Sequence, residues 1–433
     1  MNIAGSYQSM FKIPELKRRI LFTTFILVIY RLGSHIPVPG IDRAAMAQFF
    51  ASLEGTFAGL YDMFSGGNLS NATIFALGIM PYISASIILQ LLQAVVPYFE
   101  KLAKEGEEGR KKINQLTRYG TVALALVQSF GMSFAVEGMG VVSMPGLAFK
   151  LMFVLTLTTG TMLVMWLGEQ ITERGIGNGI SLIIFIGIVA RYPSDILRTL
   201  TQLQDGSMHW FKLILIVGFM LAVIAAIIAI TQGQRKIPVQ YAKKIVGRRV
   251  YGGASTHIPL RVNTAGVIPI IFAQSIIMFP ATLGNFFPNS DFWQSLSNIF
   301  TPPHFVYVVV YSSMIILFAY FYTAVILNPR DVADNLKKNS GFIPGVRPGN
   351  KTAEYIDRVL TRVTLPGAVF LAVIAILPDL MIYYLNVPFY FGGTGLLIIV
   401  GVALDTLQQI ESHLVMRHYD GFMNKGRLRA RKT

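Results

Sequence analysis

The sequence contains no cysteine. Disulfide scaffolds, thiolate zinc sites and iron–sulfur clusters are therefore excluded. Charge is also scarce: Asp, Glu, Lys and Arg make up 14 % of the 433 residues, against about 25 % in soluble domains. A soluble chain of this length needs a charged shell over its cores, and too few charges are present to build one. Apolar residues reach 53 % and the mean hydropathy is +0.55. This composition is that of a polytopic membrane protein.

Recognisable catalytic and nucleotide motifs are missing too. There is no Walker loop, no HExxH and no nucleophile elbow. Gly175-Ile176-Gly177-Asn178-Gly179 is glycine-rich, but it joins two apolar runs and follows no strand, so it does not read as a phosphate loop. The six histidines are scattered without ligand spacing. The expectation is a chain with no cofactor, no metal and no catalytic residue, whose energy comes from a partner or a gradient. Carboxylates within the apolar runs are few, whereas ion-coupled transporters place them on the ion path. Asp405 is the main candidate, and its position near the end of a run is read as water contact.

What is present is long apolar runs. A helix needs about 20 mostly apolar residues to cross a bilayer, and ten stretches qualify, roughly 16–34, 72–96, 117–136, 147–170, 178–196, 211–231, 263–284, 305–327, 363–384 and 394–412. Lys17, Arg18 and Arg19 precede the first without a small-residue cleavage site after it, so it reads as a first span and not as a signal peptide. Basic residues outnumber acidic ones, 37 to 22. With the N-terminus placed inside, the great majority of them fall on inner segments, and the even count of spans brings the C-terminus inside as well. Residues 232–262 hold Arg235, Lys236, Lys243, Lys244, Arg248, Arg249 and Arg261 with no acid. Residues 328–362 and the tail from Arg427 to Lys432 are also basic.

A weak internal repeat runs through the spans. Gly78-Ile79-Met80-Pro81-Tyr82-Ile83 in span two matches Gly266-Val267-Ile268-Pro269-Ile270-Ile271 in span seven. Gly177-Asn178-Gly179 opens span five much as Gly393-Thr394-Gly395 opens span ten. An offset of five spans makes the halves antiparallel, and helices interrupted at matching places of inverted halves line central pathways. The domains expected are residues 1–200, spans one to five, and 201–433, spans six to ten.

Several long, ungapped motifs then resemble one family. Gly78–Ile87, Trp166–Gly179, Gly247–Tyr251, Asn328-Pro329-Arg330 with Asp334–Lys338, and Pro388–Thr394 are similar to the SecY/Sec61-alpha family of protein-translocase channels. The resemblance implies an all-α membrane fold of ten helices in two inverted five-helix halves hinged like a clamshell. It implies an apolar pore ring at Ile79, Ile83, Ile180, Ile184, Ile271 and Ile398. It also implies a plug over about 56–71, carrying Phe57, Leu60, Tyr61, Met63, Phe64, Gly66 and Gly67. Spans two and seven would form a lateral gate bearing Ser84, Ser86 and Gln90 on one side and Asn263, Thr264 and Gln274 on the other. The basic loops, with Arg235, Lys236, Lys243, Lys244, Arg248, Arg249 and Arg347, would dock the ribosome and the SecA motor. Further partners implied are SecE, SecG, SecDF, a YidC-type insertase, membrane lipid and a translocating polypeptide with its signal sequence, but no DNA. The location implied is the bacterial inner membrane.

The leading expectation is therefore a passive channel, not an enzyme, that exports unfolded polypeptides and releases apolar segments into lipid. An apolar ring suits it, because such a constriction dewets and blocks ions without a charged gate, and isoleucine is bulky and stiff at χ1. Two readings of the same residues stay open. One is a secondary transporter for a small solute, which shares inverted halves and broken helices. The other is a ribosome-binding membrane scaffold without conduction.

Overall fold

The computed structural model describes residues 13–52, 62, 65–206, 209–241, 244–246, 249–251, 255–286, 291–300, 304–385 and 393–425. These residues are mostly helical. Each of the ten expected spans overlaps a helix, the second only from Met80 onward and the fifth across two helices. The helices are α1 (Pro14–Gly33), α2 (Arg43–Ser52), α3 (Met80–Val95), α4 (Pro97–Lys104), α5 (Glu107–Gly138), α6 (Leu147–Arg174), α7 (Gly179–Val189), α8 (Tyr192–Gln204) and α9 (Trp210–Gln232). After a short sheet follow α10 (Ile268–Phe286), α11 (Asp291–Ile299), α12 (Phe305–Ile326), α13 (Pro329–Lys338), α14 (Asn350–Leu385) and α15 (Gly393–Lys425). Among the described residues, seven helical stretches are long and apolar enough to cross a membrane, and eight if α3 and α4, bent by 98°, count as one. Helix α1 carries Lys17, Arg18, Arg19 and Arg31 towards its two ends, where interfacial anchors belong.

The chain is mostly helical, as expected, and one short sheet adds to the helices. The basic stretch after α9 forms strands β1 (Gln234–Tyr241), β2 (Lys244–Val246), β3 (Arg249–Tyr251) and β4 (Ser255–Arg261). β1 pairs antiparallel with β4, from Gln234 opposite Arg261 to Gln240 opposite Ser255, and on its other edge with β5 (Gly341–Phe342). Strand alternation explains it: Ile237 and Val239 point inward while Arg235, Lys236, Pro238 and Gln240 face out. The inward residues meet Leu260, Leu336, Ile343, Ile356 and Leu360 in a small core of their own.

The chain divides into two compact units, one of Met1–Arg198, Pro280–Ser297 and Val402–Thr433, the other of Thr199–Phe279 and Asn298–Gly401. In the first, α5 and α6 pack along their length. Thr117, Thr121, Ala125, Ser129 and Ser133 form a buried stripe on α5 at four-residue spacing. Small side chains of this kind let membrane helices approach closely, where dispersion and hydroxyl contacts replace the hydrophobic effect. The opposite face bears Leu126, Val127, Phe130 and Phe134, all exposed and suited to lipid. In the second unit, α12 packs on α14, burying Tyr307, Tyr311, Ile315 and Phe318.

Candidate functional site

The site is built from helices that stop short. Before α3 and before α10 the chain turns at a glycine with positive φ, Gly78 at 56° and Gly266 at 63°. Each glycine is followed by a proline at the second position of the helix, Pro81 and Pro269. Proline is tolerated there because the first amides of a helix have no partner within it. The two breaks thus share residues and local geometry.

The break before α7 is satisfied by side chains from three helices. Asn178 Oδ1 accepts from the amides of Ile180 and Ser181, at 3.1 and 3.3 Å. The Ile176 amide donates to Thr23 Oγ1 of α1 at 3.0 Å, and the Gly177 amide to Gln409 Oε1 of α15 at 2.9 Å. Gly179 donates to Thr172 Oγ1 of α6 at 2.9 Å. Non-helical backbone within a membrane protein persists only where such partners exist. Gly179 is required sterically, because a Cβ there would overlap the Gly168 carbonyl. Beside this break a polar cavity of about 350 Å³ is lined by Asn178, Ser181, Asp405, Thr406, Gln409 and Ser412. Asp405 is exposed, as its place near the end of a span suggests.

The six isoleucines all fall within two turns of an interrupted helix start. Ile79 caps α3, and Ile83 lies one turn on; both are buried. Ile180 is half-buried against Gly168 of α6, and Ile184 is buried one turn further along α7. In the second unit Ile271 on α10 and Ile398 on α15 are buried.

Of the expected plug, Phe57, Leu60, Tyr61, Met63 and Phe64 lie outside the described residues. Gly66 and Gly67 are described and buried, with φ of 75° and 78°. They belong to a loop organised by Asp62, a residue sequence reasoning did not single out. Asp62 Oδ1 accepts from the amides of Leu69 and Ser70 at 3.0 and 2.9 Å, and its carbonyl accepts from Gly67 at 2.8 Å. Asn68 donates to the Tyr30 hydroxyl of α1 at 3.2 Å, and Thr73 donates through its amide to Asn68 O. Gly66 lies on Gly187 of α7 so closely that a Cβ would come within 2.8 Å of the Gly187 Cα. Oδ2 of Asp62 pairs with Arg191 Nη1 at 3.1 Å.

The expected gate residues differ in environment. Ser84, Ser86 and Gln90 are half-buried on α3, and Gln90 donates to Ser86 one turn back at 3.1 Å. Thr264 donates to the Arg261 carbonyl. Asn263 and Gln274 are buried, and Gln274 Nε2 has no hydrogen-bond partner among the described residues. Arg235 and Lys236 are exposed on β1. Lys243 and Arg248 lie outside the described residues, as do the side chains of Lys244 and Arg249. Arg347 is exposed between Gly345 and Gly349, both at positive φ, and its carbonyl accepts from the buried Thr352 hydroxyl at 3.0 Å. Its backbone is thereby fixed while the guanidinium faces out.

Two ion pairs within the apolar helices also escaped the sequence reading. Arg118 of α5 forks onto Glu169 of α6 at 2.9 and 2.8 Å. Lys150 pairs with Glu137 at 2.8 Å and lies 3.8 Å from the centre of the Phe134 ring. The signal was one charge at each end of two neighbouring apolar runs.

Comparison with known proteins fits this geometry. The SecY family model matches residues 73–407. The chain is 51 % identical over 422 residues to the protein translocase subunit SecY of Escherichia coli K12, covering 96 % of this chain and 95 % of that protein. It is 47 % identical over 425 residues to its namesake in Aquifex aeolicus, covering 96 % and 99 %. Among solved structures, a protein-conducting channel matches with a TM-score of 0.67 at 17 % identity, covering 94 % of this chain and 96 % of that one. Sec61 from a canine ribosome–channel complex matches with a TM-score of 0.63 at 17 % identity over the same shares. With interrupted helices carrying apolar side chains, and with no catalytic constellation in its sequence, the chain belongs to the SecY family, the protein-conducting channel subunits of the Sec translocase, which are channels and not enzymes.

Proposed function

We propose that Ile79, Ile83, Ile180, Ile184, Ile271 and Ile398 form the constriction through which this channel passes unfolded secretory polypeptides. The observation that carries the reading is their common placement: each lies within two turns of a helix start, and α3 and α10 share one break geometry. Residues 1–200 and 201–433 act as the two halves around the pore, and the segment over about 56–71 is the plug. Spans two and seven part to release apolar segments into lipid. The polar groups Ser84, Ser86, Gln90, Asn263, Thr264 and Gln274 supply only weak closure, since interhelical hydrogen bonds in membranes average about 0.6 kcal/mol.

The channel is a multi-pass protein of the bacterial plasma membrane with both termini in the cytoplasm. Its partners are SecE, SecG, SecA, SecDF, a YidC-type insertase and the ribosome. The exposed Arg235, Lys236 and Arg347 support a docking surface on that side, joined by Lys243, Lys244, Arg248 and Arg249 from the same basic loop. Reversal of Arg347 to glutamate is expected to abolish SecA-driven export while the protein assembles normally. Normal export by that variant would remove Arg347 from the surface.

The absence of cysteine makes the central test direct. A single cysteine at Ile83 or Ile271 is combined with a precursor stalled mid-chain and bearing its own cysteine. Oxidation should give a linked product that depends on ATP and on the signal sequence. Absence of product at both sites, with export intact, would reject the constriction.

A further inference from the structure

Asp62 uses its two carboxylate oxygens for different tasks. Oδ1 is turned into the loop, taking the Leu69 and Ser70 amides and, at 3.4 Å, the Ser65 hydroxyl. Oδ2 is turned out of the loop, to Arg191. The Asp62 side chain is only 5 % exposed, and Arg191 is 27 % exposed. A carboxylate buried to that degree needs a cation, and removing one partner of such a pair leaves an uncompensated charge. Loss of Arg191 should therefore leave the loop folded on its Oδ1 bonds but docked more weakly, on the Asn68–Tyr30 and Gly66–Gly187 contacts.

Arg191 sits where the span Gly179–Gln204 breaks between α7 and α8. Its amide donates to Ile188, and its carbonyl accepts from the Asp195 amide and the Ser194 hydroxyl. The arginine is thus fixed to the helix that carries Ile180 and Ile184. A shift of α7 that moves those isoleucines also moves Arg191 relative to Asp62, unless the loop travels with it.

We propose that Asp62 and Arg191 form an electrostatic latch that ties the loop of Asp62 and residues 65–73 to α7, so that movement of α7 favours release of the loop. The proposal rests on reading the segment over about 56–71 as the plug. It assigns to these two residues the threshold for opening.

The test uses the full chain assembled with its partner subunits in proteoliposomes. Anion leak is measured without substrate for the unaltered protein, for Arg191→Gln, and for a deletion of residues 62–71. A Leu69→Cys background adds a second readout, the rate at which the buried thiol reacts with a maleimide. Arg191→Gln should raise both leak and labelling about tenfold, which corresponds to about 1.4 kcal/mol. If the deletion leaks but Arg191→Gln changes neither readout, the latch is overturned and the plug reading stands. If the deletion does not leak, the plug reading fails and the latch with it. Should Arg191→Gln not assemble, Arg191→His gives the same test within one preparation. Leak and labelling should be low at about pH 5.5, where the imidazolium is charged, and high at about pH 9. No difference beyond that of the unaltered protein would overturn the latch.

Discussion

Helices α5 and α6 and the interrupted helices α3 and α7 belong to one compact unit, yet they satisfy the membrane in opposite ways. α5 and α6 run unbroken, so their backbones need nothing from outside. Their charges near the ends of the apolar stretch are paired, Arg118 with Glu169 and Lys150 with Glu137. Glu169 and Lys150 are 19 residues apart on α6, or about 28 Å of helix, close to the hydrocarbon thickness of a bilayer. The pairs are therefore spaced to bracket the apolar slab. α3 and α7 reverse the arrangement. Their side chains are apolar where they start, and at α7 the polar burden falls on broken backbone capped by Thr23, Thr172, Asn178 and Gln409. A wall can be held by charges at its rims. On the constriction proposed above, the segment that yields to a polypeptide presents apolar side chains and keeps its polar groups occupied elsewhere.

The largest effect should come from breaking the second arrangement. In Gly179→Ala the new methyl would collide with the Gly168 carbonyl, a backbone atom that cannot rotate away. Backbone displacement at a packed site of this kind is expected to cost about 3 kcal/mol or more. It would also pull the Gly179 amide from Thr172. The measurement is thermal denaturation of the detergent-solubilised complex, with Leu155→Ala on the exposed face of α6 as reference. Equal melting temperatures for the two variants would show that the break tolerates movement and that the contrast with α6 is false.

How much of this contrast the sequence discloses follows from its physics. The spans are legible because a run of about 20 apolar residues has few other uses, and all ten overlap helices. The helical extensions beyond them, such as residues 107–116 and 350–362, are charged and carry no such signal. The strands were hidden for a similar reason. Seven basic residues made 232–262 read as a loop, although Ile237 and Val239, facing Ile258 and Thr256 across the ladder, carry the period of two. The isoleucines after each break were legible through the long motifs around them. Asp62 and Arg191 were not: they lie 129 residues apart, and no periodicity links an acid in one loop to a base at a distant helix end.

The smaller effect concerns the wall. Glu169→Gln leaves Arg118 without its carboxylate, but the Arg118 side chain is 45 % exposed and long enough to reach the interface. Solvent screening keeps the cost to about 1 kcal/mol or less. Replacing both residues, as in Arg118→Met with Glu169→Met, removes the charge together with its partner and should cost less than the single change, because no ion is then left to desolvate. The double-mutant cycle, read as melting temperatures of the same complex, separates two meanings of the pair. A double variant more stable than Glu169→Gln, with export unchanged, makes the pair a positional marker at the edge of the slab. A double variant less stable than either single change means that the pair binds α5 to α6 outright. The wall would then depend on a specific polar contact as much as the broken helices do, and the contrast between them would narrow to where each contact is placed.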